Sequence, residues 1–330
     1  MIQTVLVGFG FSATTFHLPF LNELDLYEVT GVVSSRPEDV RRELPDVDVF
    51  GTLEDALSSE ATLFVITTPS DLHKEMIRIC LAAGKDVLVE KPAFLTTAEG
   101  EVLRTLEQNS PGIVNVFQNR RMDGDFLTVK SLLEERQVGE WKVFESRFDR
   151  FRPHVRDRWR ENAGPGAGIL FDLGSHLIDQ ALVLFGVPER VQADVMVQRE
   201  GGQSDDGFMI TLLYGEKRVY LRSNPFIAGE APRFELHGTE GSFIKYGLDP
   251  QEAALRNGTI TADVLETGTL TREESSAVAI ETGRYLDFYR ELAASYVSRR
   301  PLVPLTDALL TTRVIELARA SSEEQKTMAF

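Results

Sequence analysis

Over the first 120 residues, short apolar runs rich in β-branched side chains alternate with segments of helical periodicity. Ile2–Val7 is such a run; it ends at Gly8 and leads into a helical pattern reaching about Glu23. Glu28–Ser34 predicts a second strand, followed by a weak helix, a short strand at Asp48–Phe50 and a helical turn at Leu53–Ser58. Thr62–Thr67 reads as a strand, Asp71–Ala83 as an amphipathic helix stopped by Gly84, and Asp86–Glu90 as a strand cut off by Lys91-Pro92. Thr97–Gln108 is helical and Ile113–Gln118 strand-like. Apolar runs spaced by helices predict βαβ units and a parallel sheet covered on both faces.

After about Asn119 the rhythm changes. A helix at Asp125–Arg136 leads to an alternating strand at Trp141–Phe148, a Gly/Pro loop at 164–168 and a strong helix at Phe171–Phe185. Between Val191 and Tyr246 five alternating segments (VQADVMVQ, FMITLLY, KRVYLRS, RFELHG and GSFIKY) predict an antiparallel sheet. Gln251–Ser276 is the least patterned stretch and is expected to be a surface excursion. Helices at Gly283–Ser298 and Thr306–Ser321 close the chain, with Pro301 and Pro304 between them. The change of rhythm divides the chain into two expected domains, 1–120 and 121–330, which suits 330 residues.

Composition narrows the function classes. At 42% hydrophobic and 26% charged the chain is globular. Its 35 basic against 51 acidic residues give a formal charge of −16. Such a surface repels phosphate backbones and anionic lipid, so neither nucleic acid nor membrane is an expected partner, although one local basic pocket remains compatible with a small anionic cofactor. The single Cys80 allows no internal disulfide and no CxxC pair, and it lies in an apolar run that predicts burial. No run approaches a membrane span, and the first residues lack the pattern of a secretory leader, so a cytoplasmic protein is expected.

Three places carry candidate chemistry. Gly8-Phe9-Gly10-Phe11-Ser12-Ala13 is a G-x-G-x-x-A between a predicted strand and a predicted helix. There the glycines make a tight turn and admit a pyrophosphate, which the helix N-terminus faces. The motif alone is also compatible with a plain strand-to-helix turn. At the end of the second strand, Ser34-Ser35-Arg36 has no carboxylate before Glu38. Two hydroxyls and a guanidinium suit a 2′-phosphate better than a free ribose hydroxyl, so NADP(H) is expected ahead of NAD(H), unless Arg36 is only a solvated loop charge. Lys91, at the carboxyl end of a buried strand, is expected in the cofactor crevice, where it stabilises a developing alkoxide; the plainer reading is a surface lysine.

The third place is the helix Phe171–Phe185. Asp172 and His176 stand four apart on one helix face, a pairing that suits general base catalysis on an alcohol, or a hydrogen-bonded core histidine. Asp179, near the same stripe, reads as a buried packing carboxylate. Histidines 17, 73, 154, 176 and 237 show no HExxH and no zinc spacing, so no metal site is expected.

In this order, VGFGFSA, TTPSDLH, VLVEKPAFLT and GILFDLGSHLIDQALVLFG resemble the Gfo/Idh/MocA oxidoreductase family along essentially the whole chain. FESRFDRFRPHVRDRWRE and KYGLDPQE look like its bacterial branch that includes NADP-dependent scyllo-inositol dehydrogenase. The resemblance implies an N-terminal Rossmann fold with a doubly wound parallel sheet, and a C-terminal α+β domain with a large, mostly antiparallel, open-faced sheet that commonly makes a homodimer or homotetramer. It implies a catalytic set that maps to Lys91, Asp172 and His176. It also implies cofactor contacts from Thr67, Thr68, Pro69, Ser70 and His73, from the Glu90-Lys91-Pro92 segment, and from Trp159 and Arg160. Ser70 stands where many relatives have Asn. Asn119, with Arg120 after it, ends the sixth strand and is expected to touch a ligand; Phe148–His154 lines either the sugar site or a subunit interface. The expected reaction is reversible oxidation of a secondary alcohol of a polyol or sugar. The alternatives are a non-catalytic dinucleotide-binding sensor and a reductase of a non-sugar carbonyl or imine.

Overall fold

A computed structural model describes residues 1–158, 160–262 and 264–330. The first part of the chain forms β1 (Ile2–Val7), α1 (Leu18–Glu23), β2 (Tyr27–Val33), α2 (Pro37–Glu43), β3 (Asp48–Phe50), α3 (Leu53–Leu57), β4 (Leu63–Ile66), α4 (His73–Ala82), β5 (Asp86–Glu90), α5 (Thr97–Gln108) and β6 (Val114–Phe117). There follow α6 (Gly124–Glu134), β7 (Trp141–Arg147), α7 (Ser175–Phe185), β8 (Arg190–Met196), β9 (Gly207–Tyr214), β10 (Lys217–Ser223), β11 (Pro232–Gly238) and β12 (Ser242–Tyr246). Last come α8 (Gln251–Arg256), β13 (Thr267–Thr271), β14 (Ser275–Ala279), α9 (Tyr285–Ser298), α10 (Leu305–Glu324) and β15 (Met328–Ala329).

These elements form two compact units. The first comprises Met1–Asn119, Gln251–Thr261 and Arg284–Leu309. Its six strands are all parallel, in the order β3-β2-β1-β4-β5-β6. This is the doubly wound order, whose direction reverses between β1 and β4, so a crevice opens beyond their carboxyl ends. Leu63–Ile66 and Val87–Val89 are wholly buried, as continuous apolar runs must be when helices cover both faces. Thr96 starts α5 by accepting the Glu99 N–H at 3.2 Å, and Gly84, at φ +68°, ends α4 in a conformation other residues rarely adopt. On α9, Tyr289 stacks on Phe20 at 5.0 Å and accepts the Tyr27 hydroxyl at its carbonyl, 2.5 Å. Cys80 is buried, and burial pushes its thiol up to about 12.

The second unit comprises Arg120–Pro250, Ala262–Gly283 and Leu310–Phe330. Its nine strands run β14-β13-β12-β11-β7-β10-β9-β8-β15. The sheet is antiparallel except where β7 pairs parallel with β10. Burial alternates along its strands: Val219 and Leu221 are covered while Tyr220 between them is not. Phe185 of α7 packs against Trp141 and Phe144 at 4.2 and 5.2 Å, so α7 covers the buried face.

Two expectations need correction. Gln251–Ser276 is more than a surface excursion, since it holds α8 and β13 and reaches the start of β14. The strands were hidden because TGTLT and SSAVA are threonine-, serine- and glycine-rich. Gly268 has no side chain because a Cβ there would enter the Phe243 ring. The single helix expected at Phe171–Phe185 is also divided. Leu170–Gly174 is π-helical and only Ser175–Phe185 is α-helical, a one-residue widening that leaves no mark on composition.

Candidate active site

The residues singled out from the sequence fall into two sets, one within each unit. In the first unit the glycine turn closes on the loop after β4. Gly8 takes φ +97°, and a Cβ on it would lie 3.0 Å from Thr67 Oγ1. The Thr67 hydroxyl faces the carbonyls of Val7 and Gly8 at 3.1 and 3.2 Å, which ties β4 to β1 at the reversal point. A Cβ on Gly10 would meet no protein atom within 4 Å, so the backbone there is open to a ligand. Ala13 is wholly buried and Phe9 nearly so; Phe11 is exposed and carries the Arg256 guanidinium 4.8 Å above its ring.

A cavity of about 570 Å³ is lined by Phe9, Gly10, Phe11, Thr14, Arg36, Asp39, Arg42 and Glu43. Arg36 donates to the Phe9 carbonyl at 2.6 Å and approaches Asp39 at 3.4 Å; Arg42 approaches the same carboxylate at 3.5 Å. Ser34 accepts the Arg36 N–H at 3.0 Å, and Ser35 is exposed. Arg42 and Asp39 were not singled out from the sequence, where both look like ordinary charges of a weak helix.

The loop after β4 and the segment after β5 are held together. His73 is buried, with Nδ1 2.7 Å from the Pro92 carbonyl and Nε2 2.8 Å from the Thr68 carbonyl. Burial lowers its pKa and the two carbonyls oppose that. The Thr68 hydroxyl reaches Met76 Sδ at 3.3 Å, Pro69 is exposed, and the Ser70 hydroxyl is buried with no protein hydrogen-bond partner among the described residues. The Lys91-Pro92 peptide is cis. Glu90 Oε2 accepts the Lys91 N–H at 3.2 Å, while Oε1 accepts from the Ser12 hydroxyl and lies 3.3 Å from His17 Nε2. Burial alone would raise Glu90, but His17, Ser12 and the Lys91 charge bring it down to about 2. Asn119 is buried beyond β6.

Turn, open glycine, the two arginines at the cavity and the orphaned Ser70 hydroxyl fit a dinucleotide: the turn admits the pyrophosphate, Arg36 and Arg42 share the cavity with Asp39 and Glu43, and Ser70 has an unused hydrogen bond.

The second unit holds Asp172 and His176. Gly168, at φ +98°, lies so close to the Asp205 carboxylate that a Cβ would collide with it. Asp205 Oδ2 accepts the Leu170 N–H at 2.7 Å, its backbone carbonyl accepts the Ile169 N–H at 2.8 Å, and Oδ1 accepts from Arg319 at 2.7 Å. This anchors the start of the π-helical segment on which Asp172 sits. Asp172 keeps 24% of its side-chain area exposed and lies 3.5 Å from Arg160 Nη1. His176 is 6% exposed, on the first turn of α7. Asp179 is buried and takes both hydrogen bonds of a forked Arg121 pair at 2.8 and 2.6 Å. Phe148 is wholly buried, with the guanidinium groups of Arg120, Arg150 and Arg233 at 4.9, 4.9 and 5.4 Å from its ring centre. Asp149 is raised by burial against the opposing Arg222 at 3.3 Å. Phe151 and His154 are exposed. Trp159 lies outside the described residues.

Sequence reasoning missed the roles of His17, Tyr289 and Asp205. His17 had a signal: it stands four residues after Ala13, on the inward stripe of the cofactor helix.

Comparison with known proteins places this arrangement. Residues 2–118 match the family model described as oxidoreductase family, NAD-binding Rossmann fold, and residues 126–244 match the GFO/IDH/MocA C-terminal domain. The chain is 40% identical to scyllo-inositol 2-dehydrogenase (NADP(+)) IolW of Bacillus subtilis, covering 99% of this chain and 95% of that protein. It is 38% identical to the uncharacterized oxidoreductase YdgJ of Escherichia coli, covering 100% and 99%. The solved structure of the oxidoreductase yvaA from Bacillus subtilis superposes with a TM-score of 0.95 at 38% identity, covering 100% of this chain and 98% of that one.

Proposed function

The chain belongs to the Gfo/Idh/MocA oxidoreductase family, and from that premise we propose that it is an NADP(H)-dependent dehydrogenase of a secondary alcohol on a cyclic polyol or sugar of the inositol class. The observation that carries the reading is the placement of Lys91 beyond β5, with its peptide held by Glu90 and the following Pro92 held by His73. A lysine so fixed at the ligand-binding edge of a doubly wound sheet suits alkoxide stabilisation.

When bound, the nicotinamide dinucleotide supplies the hydride acceptor or donor. In this reading Lys91 stabilises the alkoxide, Asp172 accepts a hydrogen bond from the reacting hydroxyl and orients it, and His176 takes its proton, or returns it in reduction. The preference for NADP(H) over NAD(H) rests on Arg36 and Arg42 beside the cavity, and on the cofactor named for the relative from Bacillus subtilis. The polyol class rests on that relative and on the Asp172/His176 pair. The same reading takes a second copy of the chain, as a homodimer or within a homotetramer, against the open face of the nine-stranded sheet, where Met209 is 55% exposed. It assigns the protein to the cytoplasm, in keeping with its lone, buried thiol.

The test follows nicotinamide absorbance with purified protein, NADP⁺ or NAD⁺, and a panel of inositols and aldoses. NADP⁺-dependent turnover of an inositol is the expected result. NADP⁺ binding with no turnover across the panel would overturn the polyol assignment.

A further inference from the structure

His17 is wholly buried at the end of a π-helical segment, Ala13–His17, that directly follows the glycine turn. Its ring packs on Phe117 at 4.4 Å. Nε2 faces Glu90 Oε1 at 3.3 Å, and Nδ1 faces the Tyr289 hydroxyl at 3.0 Å. That hydroxyl donates to the Phe16 carbonyl at 2.6 Å. A carbonyl only accepts, so the phenol proton is committed there and the phenol oxygen is left to accept from Nδ1–H. Tyr289 thus fixes His17 from behind, and the ring, with hydrogen on both nitrogens, donates Nε2–H to Glu90 from the front.

The Glu90 carboxylate has two further attachments of unlike kind. One oxygen takes the Ser12 hydroxyl, which belongs to the glycine turn; the other takes the Lys91 N–H. Gripped at both oxygens, the carboxylate cannot rotate without breaking a bond to one of them. We infer that His17, backed by Tyr289, is a positioning residue that holds Glu90 as the joint between the dinucleotide turn and Lys91. The inference rests on the reading of the turn and of Lys91 given above. Neither His17 nor Tyr289 need touch substrate or cofactor; each acts through Glu90. The groups that face Glu90 are His17, Lys91 and His73, with Tyr289 behind His17 and Tyr27 beyond it.

The experiment compares Tyr289→Phe, His17→Gln and the double variant with the parent. It reads the Kd for NADP⁺ by isothermal titration from pH 4 to 8, with kcat and melting temperature in parallel. Tyr289→Phe keeps the ring on Phe20 and Phe117 and removes only the hydroxyl, so it serves even where His17→Gln fails to fold. The expected result is a Kd raised about tenfold and a comparable fall in kcat for His17→Gln, less for Tyr289→Phe. The double variant should be no worse than His17→Gln alone, because Tyr289 acts through His17. Without His17, burial weighs more heavily at Glu90, so NADP⁺ binding should weaken toward the acid end of the range, a limb the parent lacks. A purely structural loss would lower the melting temperature without creating that limb. Unchanged Kd and no new acid limb in Tyr289→Phe and His17→Gln, or losses that multiply in the double variant, overturn the inference. Weakened NADP⁺ binding in His17→Gln beside full turnover in Lys91→Ala would instead overturn the proposed reaction, and the joint to the turn would stand.

Discussion

Glu90 keeps its charge inside the first unit because His17, Ser12 and Lys91 outweigh its burial. Its depressed pKa has a direct consequence for stability. A carboxyl held near 2 in the folded chain and near 4.5 when unfolded contributes stability above that upper value. The contribution fades as pH falls from about 4.5 toward 2 and amounts to at most about 3 kcal/mol. Acid unfolding of Glu90→Gln should therefore be flatter than that of the parent over this window, as followed by circular dichroism. At the chemical end, His176→Ala and Lys91→Ala should each cut kcat by about 10²–10⁴-fold while leaving the Kd for NADP⁺ near its parent value. Arg36→Ala should raise the Kd for NADPH by about tenfold and barely move that for NADH, read by fluorescence titration. Among these residues, Lys91 and Arg36 drew notice in the sequence because each follows a short apolar strand, where a doubly wound sheet puts its ligands. The partners that fix them were not: Tyr289 lies 272 positions from His17, and no local pattern joins two residues so far apart.

Two helices that carry candidate chemistry are widened at the same kind of place. Ala13–His17 follows the glycine turn and Leu170–Gly174 carries Asp172; both are π-helical before an α-helix continues. A π segment amounts to one extra residue in an α-helix and tends to mark functional sites, where it re-aims a side chain. Deleting Thr15 should restore regular α-helix and remove the widening that aims the side chains of this turn. The expected product keeps its far-ultraviolet circular dichroism and loses NADP⁺ binding. Gly168→Ala meets a different constraint: a positive φ and a Cβ driven into Asp205. It should lower stability by about 2 kcal/mol, seen as a lower melting temperature. The parallel strands were plain in the sequence because burial on both faces demands β-branched runs. β13 and β14 were not, because exposed residues dominate both and the buried Gly268 carries no hydrophobic signal.

At the scale of the whole molecule, the nine-stranded sheet buries one face under α7 and leaves the other to Tyr220, Met209 and their neighbours. If a second copy covers that face, Met209→Asp should shift the sedimentation coefficient toward the monomer and leave circular dichroism unchanged. The change of rhythm near Asn119 is visible in the sequence, but the assembly of the first unit from three separated segments is not. Hydrophobic periodicity reports which face of a helix is covered, not which distant strand covers it.

That three-part assembly gives the protein a timetable. All six parallel strands have been synthesised once residue 117 is made, yet Tyr289, which closes the contact behind His17, is still some 170 residues from synthesis. During that interval the nascent turn has Ser12, His17 and Glu90 but nothing to hold the imidazole from behind. A chain released early thus carries every glycine of its fingerprint and lacks the residue that steadies them.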